Sequence, residues 1–166
     1  MSGFIRNLLT LIWALFARGP FDACSRVSCH FLITPFDCGI SILKSDKYLQ
    51  LAEAAQLDFL IKTKLIAKLL RHGIHFVNAS QLVKFVRPVK LFGRVRIETS
   101  IIYADEKCMY FSHSLFVQDR QHGEILVKMK FKKGVVTVSP AKIAGKLPSL
   151  KPEHLRAWDE TLDAMP

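Results

Sequence analysis

The chain reads as an α+β domain in which one antiparallel sheet wraps around one long helix. Three features carry that reading. Residues 47 to about 71 form the longest helical pattern, with Leu51, Ala55 and Leu57–Phe59 at near-helical spacing. From His75 the periodicity changes to two and stays there to Val138. A single alternating segment, Arg26 to Leu32, precedes the helix. One sheet then has to cover the apolar side of one helix, which is an α+β arrangement.

The elements follow in order. Phe4 to Ala17 reads FIRNLLTLIWALFA, with Leu8, Leu11, Ile12 and Leu15 on one side of a helix and Leu9, Trp13 and Phe16 on the other. The run is shorter than the roughly twenty residues of a membrane span. A helix apolar nearly all round is expected to bury against a partner or to insert shallowly into a membrane face. Gly19-Pro20 ends it. Pro35 to Asp46 is a loop, and Ser45 or Asp46 is placed to cap the helix that follows. That helix is expected to break near Thr63, although neither Pro nor Gly is there, and to end at Gly73. Four strands come next: His75 to Arg87, Phe92 to Tyr103, Cys108 to Gln118 and Glu124 to Lys132. Asp119 to Gly123 closes the third, and a continuation over Val135 to Val138 follows Gly134. Short connections predict that the four form an antiparallel meander. Ser149 to Asp163 reads as a last helix. The division is a hydrophobic N-terminal helix over 1–20, the α+β domain over 21–147 and a helical tail over 148–166.

Composition bounds the class. Half of the 166 residues are hydrophobic and 23% are charged, which suits one globular domain with a sizeable core. Phe is common, at 12 residues. The formal charge is +10, and the excess lies late: Lys128, Lys130, Lys132, Lys133, Lys142, Lys146 and Lys151 fall in a stretch with no acid. Such a field suits an anionic partner or a solvated basic face. No recognisable nucleic-acid motif accompanies it, so nucleic acid is not expected. Cys24, Cys29, Cys38 and Cys108 form no CxxC pair and no zinc spacing, so no metal is expected. Small apolar cysteines fit a reducing, cytoplasmic setting, with peripheral membrane attachment through the N-terminal helix.

Several segments then carry a resemblance. Tyr48-Leu49 with Glu53 and Asp58, the run Gln81 to Val89 followed by Phe92 and Arg96-Ile97-Glu98-Thr99, and Asp105-Glu106-Lys107 followed by Tyr110-Phe111 are similar in order and spacing to the hotdog superfamily. The likeness is to its thioesterase-like branch, related to 4-hydroxybenzoyl-CoA thioesterase, and within it to the subgroup with a hydrophobic N-terminal segment. It covers about Ser25 to Leu147. The resemblance implies a five-stranded sheet around a central helix, a homodimer or dimer of dimers, and acyl-CoA or acyl-carrier-protein thioesters as substrates. It implies no cofactor beyond coenzyme A as part of the substrate, and a place in lipid metabolism. A helix N-terminus would face the thioester carbonyl while a carboxylate attacks it or activates water.

The loop before that helix departs from the family's Asp-x-Asp-x-x-Gly-His-x-Asn-Asn pattern. Counting back from Tyr48, Ile42 stands at the histidine, Ser41 at the glycine, and Lys44 and Ser45 at the asparagines. The Arg expected three residues after Glu53 is Gln56. Ile42 neither transfers a proton nor donates a hydrogen bond. The candidate catalytic carboxylates are therefore Asp37 and Glu53. Cys38, Gly39, Ser45, Tyr48 and Gln81 are the candidate substrate-binding residues. The expected function is hydrolysis of a fatty or aromatic acyl thioester; the alternative is a non-catalytic thioester-binding or membrane-associated scaffold.

Overall fold

The computed structural model describes residues 21–166; the expected helix over 1–20 lies outside them. The elements are β1 (Val27–Leu32), a 3-10 turn (Pro35–Asp37), α1 (Ser45–Lys62), α2 (Leu65–His72), β2 (His75–Phe85), β3 (Arg94–Ala104), β4 (Cys108–Val117), β5 (Arg120–Lys133), β6 (Val136–Val138), α3 (Pro140–Ala144) and α4 (Glu153–Asp163).

α1 is the centre of the molecule. Tyr48, Leu51, Ala52, Ala54, Ala55, Phe59 and Leu60 are buried, and so are Gln56 and Asp58. The small residues let the helix lie close to the sheet, and Phe59 meets Phe111 edge to face at 5.6 Å. The expected break is present. The Thr63 hydroxyl donates to the Phe59 carbonyl at 2.7 Å, Lys64 adopts a left-handed φ of 61°, and α2 restarts at Leu65. The Phe59 carbonyl also keeps the Thr63 N–H at 2.9 Å, so it is the left-handed Lys64 that interrupts the helix without Pro or Gly. Gly73 closes α2 in the left-handed region.

The sheet runs β1-β3-β4-β5-β2, all antiparallel, with β6 folded onto the end of β5. Its inner face holds Val95, Ile97, Thr99 and Ile101 on β3, and Ile125, Val127, Met129 and Phe131 on β5, all buried; Tyr103, which strict alternation would put on the same face, is turned by an irregularity after Ile101 to the outer cluster of Cys108 and Tyr110. The meander, however, is corrected. β2 pairs with β5, not with β3. Val86 to Gly93 is an extended connector rather than a tight turn. Its backbone pairs with the loop before α1, through Leu43 N–H to Val89 O (2.9 Å) and a bridge between Ile42 and Lys90. The β4–β5 hairpin is also tighter than expected. Gln118 and Asp119, both at positive φ, form the turn, and β5 starts at Arg120. Two left-handed residues match the twist of the flanking strands. Gly123 is thus a strand residue. A Cβ there would sit 3.2 Å from both Tyr48 Cε1 and the Lys84 carbonyl, so glycine permits the close approach.

The tail helix α4 begins at Glu153 rather than Ser149 and covers the outer face of the sheet. Leu155 and Trp158 cluster with Cys108, Tyr110 and Leu126. Asp159 accepts from Tyr110 Oη (2.6 Å), Lys128 Nζ (2.7 Å) and Lys151 Nζ (2.5 Å). Burial alone would raise the Asp159 carboxyl. The three donors outweigh it and hold the group at about 2. Lys128 is therefore an ion-pair partner and not simply part of a solvated stripe.

The two sheet edges differ. β1 is short, and Lys62 Nζ, itself paired with Asp58, reaches the Ser28 carbonyl on that edge at 3.3 Å. β2 spans eleven residues and leaves Val77, Leu82 and Phe85 exposed. A long edge with apolar side chains is a template for pairing with another strand.

His113, on β4, faces the core. Its Nδ1 shares a 2.9 Å hydrogen bond with the Thr99 hydroxyl, its ring stacks on Phe111, and its Nε2 is without a hydrogen-bond partner among the described residues. Burial lowers its pKa to about 3. The unfolded chain, near 6.5, therefore takes up a proton that the folded chain refuses. This contribution is fully retained above pH 6.5 and lost as pH falls from 6.5 toward 3, by about 5 kcal/mol at the acid limit. Replacing His113 by Leu together with Thr99 by Val should flatten the pH dependence of the urea midpoint over that window relative to the natural chain.

Candidate functional site

The site is built where the sheet ends and α1 begins. Thr34 starts a 3-10 turn whose third residue is Asp37. The Asp37 carboxylate is buried and accepts from the Thr34 N–H (3.0 Å) and the Thr34 hydroxyl (2.7 Å), a reciprocal cap on the turn. The chain then folds back. Gly39 N–H donates to Ile42 O, Lys44 N–H donates to Asp37 O, and Cys38 bridges to Leu43. α1 begins directly after this fold-back. Its N-cap is Lys44, with no side-chain cap, so Ser45 is the first helical residue and not the cap that the sequence suggests. The Lys44 side chain itself makes no capping bond, and the first turn carries the positive end of the helix dipole.

An open cleft of about 330 Å³ lies beside this terminus, lined by Ile42, Leu43, Ser45, Tyr48, Phe85, Val86, Arg87 and Pro88. Tyr48 and Phe85 meet edge to face at 4.9 Å on its wall. Burial raises the Tyr48 phenol, opposed by a hydrogen bond with the Val89 backbone, so the ring stays neutral. Arg87 donates to the Gln121 carbonyl at 2.8 Å, which ties the cleft wall to the start of β5. The cleft is apolar with one cationic group, and no carboxylate lines it among the described residues.

Of the residues that the sequence singles out, Ser45 and Tyr48 line the cleft. Cys38 is buried in the loop and Gly39 is at the surface. Gln81 sits half-buried on β2 opposite Val127, away from the cleft. Asp37 is the turn cap. Glu53 is exposed on an otherwise buried stretch of α1, about two turns beyond its start. It precedes Gln56 by one turn, and Gln56 Nε2 donates to Asn78 of β2 at 3.1 Å. Glu53 therefore projects on the flank of α1 nearest the free β2 edge. Gln56 is buried, and its Oε1 has no hydrogen-bond partner among the described residues. The contribution of Phe85 to Pro88 was not visible as a site. That wall forms only when the end of β2 meets the start of α1, and the one local signal is the break in strand character at Pro88. Among the described residues no His, Cys, Asp and Glu side chains cluster as metal ligands.

A family model described as the thioesterase-like superfamily matches residues 40–158. Solved structures share the architecture. A probable thioesterase from Bartonella henselae is 14% identical with a TM-score of 0.63, over 69% of this chain and 98% of that one. A gentisyl-coenzyme A thioesterase is 22% identical with a TM-score of 0.60, over 70% and 97%. A hypothetical thioesterase from Streptococcus pneumoniae, solved with coenzyme A, is 10% identical with a TM-score of 0.56, over 80% and 94%. No curated protein matches by sequence. The fold is the hotdog fold, a curled antiparallel sheet around a central helix.

If Asp37 acts as the turn cap described above, replacing it by Ala orphans both Thr34 donors. The expected loss is about 2 kcal/mol of unfolding free energy, read from the urea midpoint.

Proposed function

The chain belongs to the thioesterase-like superfamily, and on that premise we propose that it binds an acyl thioester of coenzyme A or of an acyl-carrier protein and hydrolyses it. The observation that supports this is the N-terminus of α1 beside an apolar cleft. The positive end of the helix dipole suits a developing oxyanion, and the apolar walls suit a fatty or aromatic acyl group. Coenzyme A enters as part of the substrate, as it is bound in the pneumococcal relative. Arg87 in the cleft wall supplies positive charge for its phosphates.

Glu53 is the carboxylate best suited to activate water, since it is exposed whereas Asp37 is buried in its turn. It does not line the cleft of its own chain. Two copies joined through the free β2 edges would form one continuous sheet and bring the Glu53 flank of each α1 toward its partner. The β2 edge is long and apolar, and the β1 edge is occupied by Lys62, which favours β2 for this homodimer. A second reading, thioester binding without hydrolysis, is favoured by one observation: Ile42 stands in the cleft wall where a proton-transferring group would be useful.

Hydrolysis of acyl-CoA across chain lengths decides between the two. Turnover that falls at least about 100-fold in Glu53→Gln, with ligand-induced thermal shifts kept, supports hydrolysis through Glu53. Thermal shifts with no turnover for any chain length support the binding reading.

The N-terminal run Phe4–Ala17 is proposed to hold the protein at a membrane face, and no helix among the described residues is long and apolar enough to cross one. Deleting residues 1–20 should move the protein from the membrane to the soluble fraction; unchanged partition would refute this.

A further inference from the structure

The register brings the end of β1 (Leu32), the start of β3 (Arg94), the β4–β5 turn and the end of β2 (Phe85) to one end of the sheet, together with the N-terminus of α1. Two segments at that end are hydrogen-bonded into one platform. Ile33 N–H donates to Gly93 O (3.0 Å), Phe92 N–H to Ile33 O (3.0 Å), Leu91 N–H to Ser41 O (2.9 Å) and Leu43 N–H to Val89 O (2.9 Å). The platform turns its largest apolar side chains outward. Ile40 is 100% exposed, Phe36 79% and Phe92 66%. Phe92 holds a left-handed φ of 61°, which a bulky residue adopts only when its surroundings impose it. Gly93 beside it admits no Cβ, because one would lie 2.8 Å from the Lys90 carbonyl. The turn is thus locked in a conformation that puts an aromatic ring in water.

The charge around these tips is one-sided. Lys44, Arg87, Lys90 and Arg94 are exposed within or beside the two segments. The acids at this end are Asp46 and Asp119, both exposed, with Asp119 paired to Arg96, and Asp37, which is buried in its turn. Protruding apolar tips ringed by cations match an anionic lipid surface, where the tips enter the acyl boundary and the cations meet headgroups. A second copy of the same face would bring cations against cations. The tips also stand out rather than enclose a groove, which suits a fluid partner better than a folded one.

We propose that this end of the domain docks on an anionic lipid bilayer, with Phe36, Ile40 and Phe92 inserted and Lys44, Lys90 and Arg94 at the headgroups. This is a contact of the folded domain, separate from the N-terminal run. It sets the cleft mouth, which shares Ile42 and Arg87 with this end, beside the membrane. The docking does not depend on whether the cleft hydrolyses thioesters.

The test uses the full chain with Cys24, the exposed cysteine of the described residues, changed to Ser. An environment-sensitive fluorophore is attached at Ile40→Cys, and in a second protein at Thr161→Cys on the exposed side of α4. With phosphatidylcholine–phosphatidylserine vesicles, the label at 40 should shift to the blue and brighten several-fold. The effect should weaken with added salt or without phosphatidylserine, and in a Phe36→Ser, Phe92→Ser background. The label at 161 should not respond. Protein that floats with vesicles while the label at 40 stays in water overturns the proposal, as does absence of vesicle binding. A blue shift at 40 that grows with protein concentration and needs no vesicles assigns the face to self-association and also overturns it.

Discussion

The enclosure of α1 by the curled sheet is the constraint on which the rest of this molecule depends. A helix buried on most of its surface has to be small where the strands approach, which Ala52, Ala54 and Ala55 provide. It also has to satisfy whatever polar groups it carries inward. Asp58 does so through Lys62, at 2.7 Å, and Gln56 does so in part through Asn78. Both partners reach toward the sheet edges. Lys62 continues to the Ser28 carbonyl of β1, and Asn78 belongs to β2. The polar contacts of the central helix thereby close one edge and mark the other as open. The position of α1 also fixes where its N-terminus emerges, and so where a cleft can form.

How far the sequence discloses this depends on the range of the interaction involved. Period-two alternation reports the inner face of β5 and of β3 as far as Ile101, because each side chain answers only to the two faces of its own strand, and it fails at Tyr103, beyond the irregularity in β3. The break near Thr63 is local too: the Thr63 hydroxyl bonds four residues back and Lys64 turns left-handed beside it. Strand order is different. Nothing local distinguishes Val86 to Gly93 from a turn between neighbours; its partners are Ser41, Ile42 and Leu43, some fifty residues earlier in the chain. The β4–β5 turn is not announced by its sequence, because Gln118-Asp119 lacks the Asn-Gly or Asp-Gly pair that normally marks two left-handed residues. Lys128 looked like a solvated residue until α4 brought Asp159 to it from the far end of the sequence.

The site divides along the same line. Asp37 is intelligible as a turn residue from its neighbours alone, and Thr34 supplies the donors that make it one. The cleft is assembled from two distant segments, so only Ser45 and Tyr48 of the five candidate binding residues fall on it. Gln81 lies on the same side of β2 as Phe85 yet sits four pairs farther along, opposite Val127 rather than Gly123, and does not line the cleft.

The loop from Thr34 to Lys44 then sets limits on the chemistry. Its backbone groups are turned to one another and to the Val86–Gly93 connector, its one carboxylate is engaged by Thr34, and its outward side chains include Phe36, Ile40, Ser41, Ile42 and Lys44. A loop so arranged can orient a helix terminus and offer apolar surface, but it carries no histidine to shuttle a proton. If the cleft does hydrolyse thioesters, the two halves of the reaction must come from different places. Charge stabilisation belongs to the backbone N–H groups of α1, and water activation belongs to a carboxylate outside the loop. Glu53, exposed on the β2 flank of the same helix, meets that requirement only when another copy lies alongside. On the proposed reading, catalysis would be tied to pairing through the β2 edge, whereas binding at the helix terminus would not.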